Sequence, residues 1–216
     1  MKEDLKNYID LDYKKFSERT IYTNREILGI RLPILKKYAK DNKDNLDLIY
    51  DNTYHENTII NAYIINTIKD YDLHLKYLLY FIDYIDNWAT CDTLKFNIKD
   101  HELDYFNLSK KLIKSKNTFY RRVGLRILFS FKNNKEYLNK IIKIINSLYK
   151  EKEYYVNMCN AWLLCELTIF NEDYIINNLN NLKLNDFTKS KFVSKCYDSF
   201  RIDRDTVKIL KEWKNE

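Results

Sequence analysis

Glycine and proline are almost absent: two glycines and one proline in 216 residues. β-Sandwiches and doubly wound α/β folds need many glycines for tight turns and phosphate loops, so both are excluded on composition. The four cysteines, Cys91, Cys159, Cys165 and Cys196, include no CxxC pair. Neither a zinc ribbon nor an iron–sulfur cluster is spelled by that spacing. Each cysteine lies in an apolar, helix-like context that suits a reduced core thiol. No apolar run reaches the roughly 20 residues needed to span a bilayer, and residues 1–16 mix charged and apolar positions without a secretory core. A cytoplasmic protein is expected. The three histidines do not form a zinc-binding pair either, since His55-Glu56 is followed by Asn57-Thr58-Ile59. Metal and cofactor chemistry are therefore not expected.

What the chain does have is a three- and four-residue recurrence of apolar positions along most of its length. It predicts helices near 4–16, from Pro33 through Ala39, and over 46–51, 55–69, 73–85, 89–98, 102–115 and 118–131. Later ones fall at 135–149, 154–170, 172–181, 186–199 and 204–214. A break is expected around Thr20 to Ile27. Gly29 then permits an unusual backbone angle, and Pro33 suits a first helical turn. Short Asn/Asp-containing joints, such as Lys132-Asn133-Asn134 and Asn171-Glu172-Asp173, force neighbouring helices to be antiparallel. Pairs recur about every 35–40 residues, the rhythm of HEAT-like repeats. The expectation is one all-α domain over 1–216, an α-solenoid of antiparallel helix pairs whose concave face carries basic residues.

Net charge is +6, from 37 basic and 31 acidic residues, which permits a polyanionic partner without requiring one. Lys110, Lys111, Lys114 and Lys116 cluster on one predicted helix. Arg121, Arg122 and Arg126 lie on the next, and Lys189, Lys191, Lys195 and Arg201 on a later one. Such groups give salt-sensitive, sequence-independent attraction to phosphates, or simply a solvated outer face.

Three segments stand out. In Ile85-Asp86-Asn87-Trp88-Ala89-Thr90-Cys91-Asp92, Trp88 and Asp92 are four apart and share a helix face. A carboxylate beside tryptophan is costly packing unless paired, although Asp86 or Asn87 can cap the helix and Asp92 can serve its dipole. In Phe119-Tyr120-Arg121-Arg122-Val123-Gly124-Leu125-Arg126, Gly124 marks close approach of another helix. Arg122 and Arg126, four apart, suit phosphates or ion pairs. In Tyr154-Tyr155-Val156-Asn157-Met158-Cys159-Asn160-Ala161-Trp162, the tryptophan suits either core or site.

Together with Leu28-Gly29-Ile30-Arg31-Leu32-Pro33, Leu35-Lys36-Lys37-Tyr38-Ala39-Lys40 and Ser199-Phe200-Arg201, these segments resemble the AlkD-like DNA alkylation-repair family of HEAT-like repeat proteins. The resemblance spans about residues 20–210. It implies a lesion-facing set of Trp88, Asp92, Arg122 (or the adjacent Arg121) and Trp162. Phosphate contacts would come from Arg121, Arg126, Lys110, Lys114, Lys191, Lys195 and Arg201, and the partner would be double-stranded DNA bound by a monomer. The implied activity is a monofunctional glycosylase for cationic N3- or N7-alkylpurines, without metal or cofactor. The alternative is a non-catalytic HEAT-like member that binds bent, branched or damaged DNA. Cys165-Glu166 stands where glycosylase members carry Arg-Glu, which favours that alternative.

Overall fold

The computed structural model describes residues 3–215, and among these there is no β-strand, only an isolated antiparallel bridge between Ile9 and Ile30. Two compact units divide the chain, Met1–Asn97 and Ile98–Glu216. Among the described residues no helix is long and apolar enough to cross a membrane.

The first unit holds α1 (Glu3–Lys6), α2 (Leu11–Thr20), α3 (Leu32–Asp41), α4 (His55–Ile65), α5 (Tyr71–Phe81) and α6 (Trp88–Thr93). Helix α4 is buried at almost every position, and α3, α5 and α6 pack on it. Its second half is mainly apolar, and the buried polar side chains of Glu56, Asn57, Thr58 and Asn61 are each hydrogen-bonded, which lets the whole helix lie inside. Its Ile59, Ile60, Ile64 and Ile65 meet a core that includes Leu35, Ala39, Leu78 and Phe81.

The single helix expected over 4–16 is two. Asp10 caps α2, accepting from the Tyr13 amide at 2.9 Å, and Ile9 pairs with Ile30 instead of continuing a helix. The break expected near 20–27 is present, and α3 starts with Pro33 in its first turn. Gly29 adopts φ +90°, the left-handed region that favours glycine. This turn points three consecutive amides, of Leu28, Gly29 and Ile30, at the buried Glu56 carboxylate over 2.8–3.3 Å. Successive amides aimed inward in this way form an anion cradle.

The second unit holds α7 (Glu102–Ile113), α8 (Thr118–Leu128), α9 (Lys135–Ser147), α10 (Tyr154–Phe170), α11 (Glu172–Asn177), α12 (Asp186–Asp198) and α13 (Arg204–Asn215). Helix α10 is central, with α8 and α12 against it. Phe119 of α8 meets Tyr155 of α10 at 5.5 Å, and two turns further along both helices Arg126 lies 4.7 Å over Trp162. Tyr154 and Phe187 stand 5.6 Å apart, and about two turns on, Trp162 faces Lys195 at 6.0 Å. Contacts that advance in the same order require α8, α10 and α12 to run parallel. Gly124 lets α7 come close: a Cβ there would lie 2.7 Å from Ile113 Cγ1 and 3.0 Å from the Ser109 carbonyl. Asparagines start the helices here, Asn117, Asn134 and Asn185 each accepting a first-turn amide.

Candidate functional site

Helix α6 is only six residues long, too short to persist unaided, and its neighbours hold it at both ends. Asn87, fully buried, caps it by accepting the Thr90 amide at 2.9 Å. Asp86, just before it, takes the Thr23 hydroxyl and the Asn24 amide at about 3 Å and pairs with Arg25 at 2.8 Å. That pairing ties the 20–27 segment to the entry of α6. On the buried side, the Thr90 hydroxyl meets that of Thr58 on α4 at 2.7 Å. At the far end the Asn66 side chain donates to the Thr93 carbonyl (2.8 Å) and accepts from the Lys95 amide (2.7 Å). The helix therefore stops at Thr93 and does not run to 98; Leu94 to Asn97 alternate buried and exposed, as an extended segment does.

Fixed in this way, α6 turns Trp88 and Asp92 toward one cleft of about 460 Å³. Both are half-buried. The Trp88 indole Nε1 donates to the Thr20 carbonyl at the end of α2 (3.0 Å), which sets the plane of its ring. Tyr13 and Phe16 of α2 and Tyr63 of α4 add aromatic walls, and Lys36 and Lys95 stand at the edge. Burial, and then the neighbouring Tyr13, push the Tyr63 phenol above its ordinary value. The cleft thus combines flat apolar surfaces, the Asp92 carboxylate on α6, His55 and Glu56 of α4 and two flexible cations, a set that suits a nucleotide. Tyr13, Phe16 and Tyr63 were not singled out from the sequence. The three-residue interval between Tyr13 and Phe16 placed them on one face of α2, but nothing local told which element that face would meet.

Arg122, Trp162 and the remaining basic candidates belong to the second unit. Arg121 is committed within it: its guanidinium pairs with Glu151 at 2.8 Å and donates to the carbonyls of Ser115 and Lys116. Arg122 is 4 % exposed, and its Nη1 donates to the Tyr155 carbonyl at 2.5 Å, joining α8 to the first turn of α10. Arg126 is the arginine over Trp162, and it also lies over Phe129, whose ring stands edge-on to the indole at 4.6 Å. Lys195 and Lys191 of α12 lie over Trp162 and Phe187. Arg201 reaches Glu166, one turn beyond Trp162 on α10, at 2.6 Å, and Lys132 holds the other carboxylate oxygen at 2.9 Å. Lys110 and Lys114 are exposed on and just after α7.

In this unit Trp162 of α10 thus meets Arg126 of α8 and Lys195 of α12, and Phe187 of α12 meets Lys191 and Tyr154. Burial pushes the Glu166 carboxyl up, but Lys132 and Arg201 outweigh it, and the group lies below its ordinary value. Among the described residues no group of three or more His, Cys, Asp or Glu is placed to hold a metal ion.

No curated protein and no solved structure matches the chain. A family model described as DNA alkylation repair enzyme matches residues 1–196, and a match over that much of its length means that the chain belongs to the DNA alkylation repair enzyme family.

Proposed function

We propose that the protein is a DNA glycosylase that hydrolyses the N-glycosidic bond of cationic N3- or N7-alkylpurines in duplex DNA. The observation that carries this reading is the pair on α6: Trp88 and Asp92, one turn apart, open on the same aromatic cleft. An alkylated purine is already cationic and leaves as a neutral base, so no general acid is needed. What remains is to stabilise a sugar with oxocarbenium character and to admit water. The Asp92 carboxylate supplies the negative charge beside that sugar, and Trp88 offers a ring face to a cationic nucleotide, worth about 0.5–2 kcal/mol. In the second unit, Trp162 with Arg126, Lys191 and Lys195 supplies ring and cation contacts for the sugar–phosphate backbone.

Incubation with N-methylated duplex DNA should release 7-methylguanine or 3-methyladenine. Asp92→Asn should lower that release by about 100-fold or more, the scale of removing one well-aimed transition-state charge contact. Release no faster than in buffer would falsify the enzymatic reading.

One observation favours a second reading, a member that binds damaged or bent DNA without excising a base. Arg122, the arginine that the family resemblance assigns to the lesion, is buried and donates to a backbone carbonyl inside its own unit. Salt-sensitive DNA binding without any base release distinguishes this case.

A further inference from the structure

Two polar residues in the first turn of α4 grip the first turn of α6. Both pairs are spaced by three residues, His55 and Thr58 on one side and Asn87 and Thr90 on the other. Thr58 gives its hydroxyl hydrogen to the His55 carbonyl at 2.7 Å, so in the Thr58–Thr90 contact Thr90 is the donor. Asn87 is fixed more tightly still. Its Oδ1 is used by the Thr90 amide, which defines the orientation of the side-chain amide, and its Nδ2 donates to Asp86 at 2.9 Å. The second Nδ2 hydrogen is left facing Nδ1 of His55, 3.5 Å away. Only an unprotonated Nδ1 accepts it, which places the imidazole proton on Nε2.

We propose that His55, as a neutral imidazole, is a positioning residue for Trp88 and Asp92. By accepting from Asn87, it locks the α6 cap and with it the rotation of that helix toward the cleft. Protonation in acid sets an N–H of His55 against the N–H of Asn87 and loosens the cap. Burial of His55 opposes its protonation, the carboxylates of Glu56 beside it and Asp86 ahead of α6 favour it, and Arg25 on the loop before α3 opposes it; the balance lies below the ordinary 6.5. The helix is therefore locked at neutral pH and released in acid. What α6 does to DNA rests on the glycosylase reading, but the locking does not.

The test is nuclear magnetic resonance of the full chain from about pH 8 to about pH 4, following the Trp88 indole N–H, the Thr90 amide and the Asn87 side-chain amide. In the native chain these should move together, with the midpoint of the His55 ring. In His55→Asn the side-chain oxygen falls near the place of Nδ1 and accepts without titrating, so the three signals should keep their neutral positions through that range. Carboxylates that titrate in the same interval move both chains and cancel in the comparison. In His55→Leu the signals should be displaced at every pH. If that chain does not fold, the native and Asn chains alone decide. Fixed Trp88 and Thr90 signals while His55 titrates, or the same acid response in His55→Asn, overturns the proposal. Base release measured in parallel should show an acid limb in the native chain that His55→Asn lacks. Absence of release at any pH counts against the glycosylase and leaves the resonance result to decide the positioning.

Discussion

Glu56, Asp86 and Glu166 are carboxylates already spoken for, and their surroundings say how each contributes. Glu56 takes three backbone amides, Asp86 fastens a loop, and Glu166 sits between Lys132 and Arg201 one turn beyond Trp162. Asp92 shares its cleft with Glu56 but sits one turn from Trp88 on the same helix. For Glu166 the consequence is a pH dependence of stability. Its carboxyl is held below the ordinary 4.5 by the two cations despite burial. A depressed folded value means that the contribution is complete above the unfolded value and is lost as pH falls through the folded one. The urea midpoint of the native chain should exceed that of Glu166→Gln at about pH 6, and the gap should close below about pH 4. A gap that stays constant down to pH 3 or so would show that the two cations do not stabilise the ionised form.

At the scale of elements, the segment from Gly29 to Pro33 decides where α3 begins and whether Glu56 has a cradle. A Cβ at Gly29 would stand 2.6 Å from both the Asp10 carbonyl oxygen and Lys14 Cβ, at a backbone angle of +90°. The oxygen is main chain and cannot swing away. Gly29→Ala should therefore cost about 1–3 kcal/mol in backbone strain alone, with the clash added, seen as a lowered urea midpoint without loss of helical circular dichroism in the cold. An unchanged midpoint would mean that the turn relaxes freely. Much of this architecture was legible: the glycine and proline pair announced a break and a restart, and Gly124 announced the approach of α7. Two readings failed for local reasons. The recurrence of apolar residues does not register an interruption as short as the one at Asp10, where a cap replaces a turn. Beyond Thr93, Leu94 and Phe96 have the two-residue alternation of an extended segment, too brief to outweigh the helical pattern before it. For the site, the four-residue interval of Trp88 and Asp92 was enough to put both on one face. Tyr13, Phe16 and Tyr63 join that cleft only through the packing of three helices. The same interval links Arg122 and Arg126 but could not tell that Arg126 lies over Trp162 while Arg122 is drawn toward Tyr155.

For the whole molecule, a net charge of +6 understates how unevenly the cations are used. Arg25, Arg31, Arg121, Lys132 and Arg201 are each held by a carboxylate of the chain itself. A cation already neutralised adds little when a phosphate arrives, because counterions leave the DNA only where a free protein cation takes over the neutralisation of a phosphate. Lys191 and Lys195 of α12 lie over the rings of Phe187 and Trp162 instead. If duplex DNA binds there, these two lysines carry a disproportionate share of the salt dependence. Measured by fluorescence anisotropy between about 50 and 200 mM salt, the slope of log affinity against log salt should fall by about 0.9 for each phosphate that the protein no longer neutralises. Lys191→Ala with Lys195→Ala should therefore flatten it by nearly two. Arg121→Ala should leave the slope almost unchanged and instead lower stability, since it leaves Glu151 without its guanidinium. Equal flattening by Arg121→Ala, or none from the paired lysine change, would move the DNA-binding surface away from these lysines.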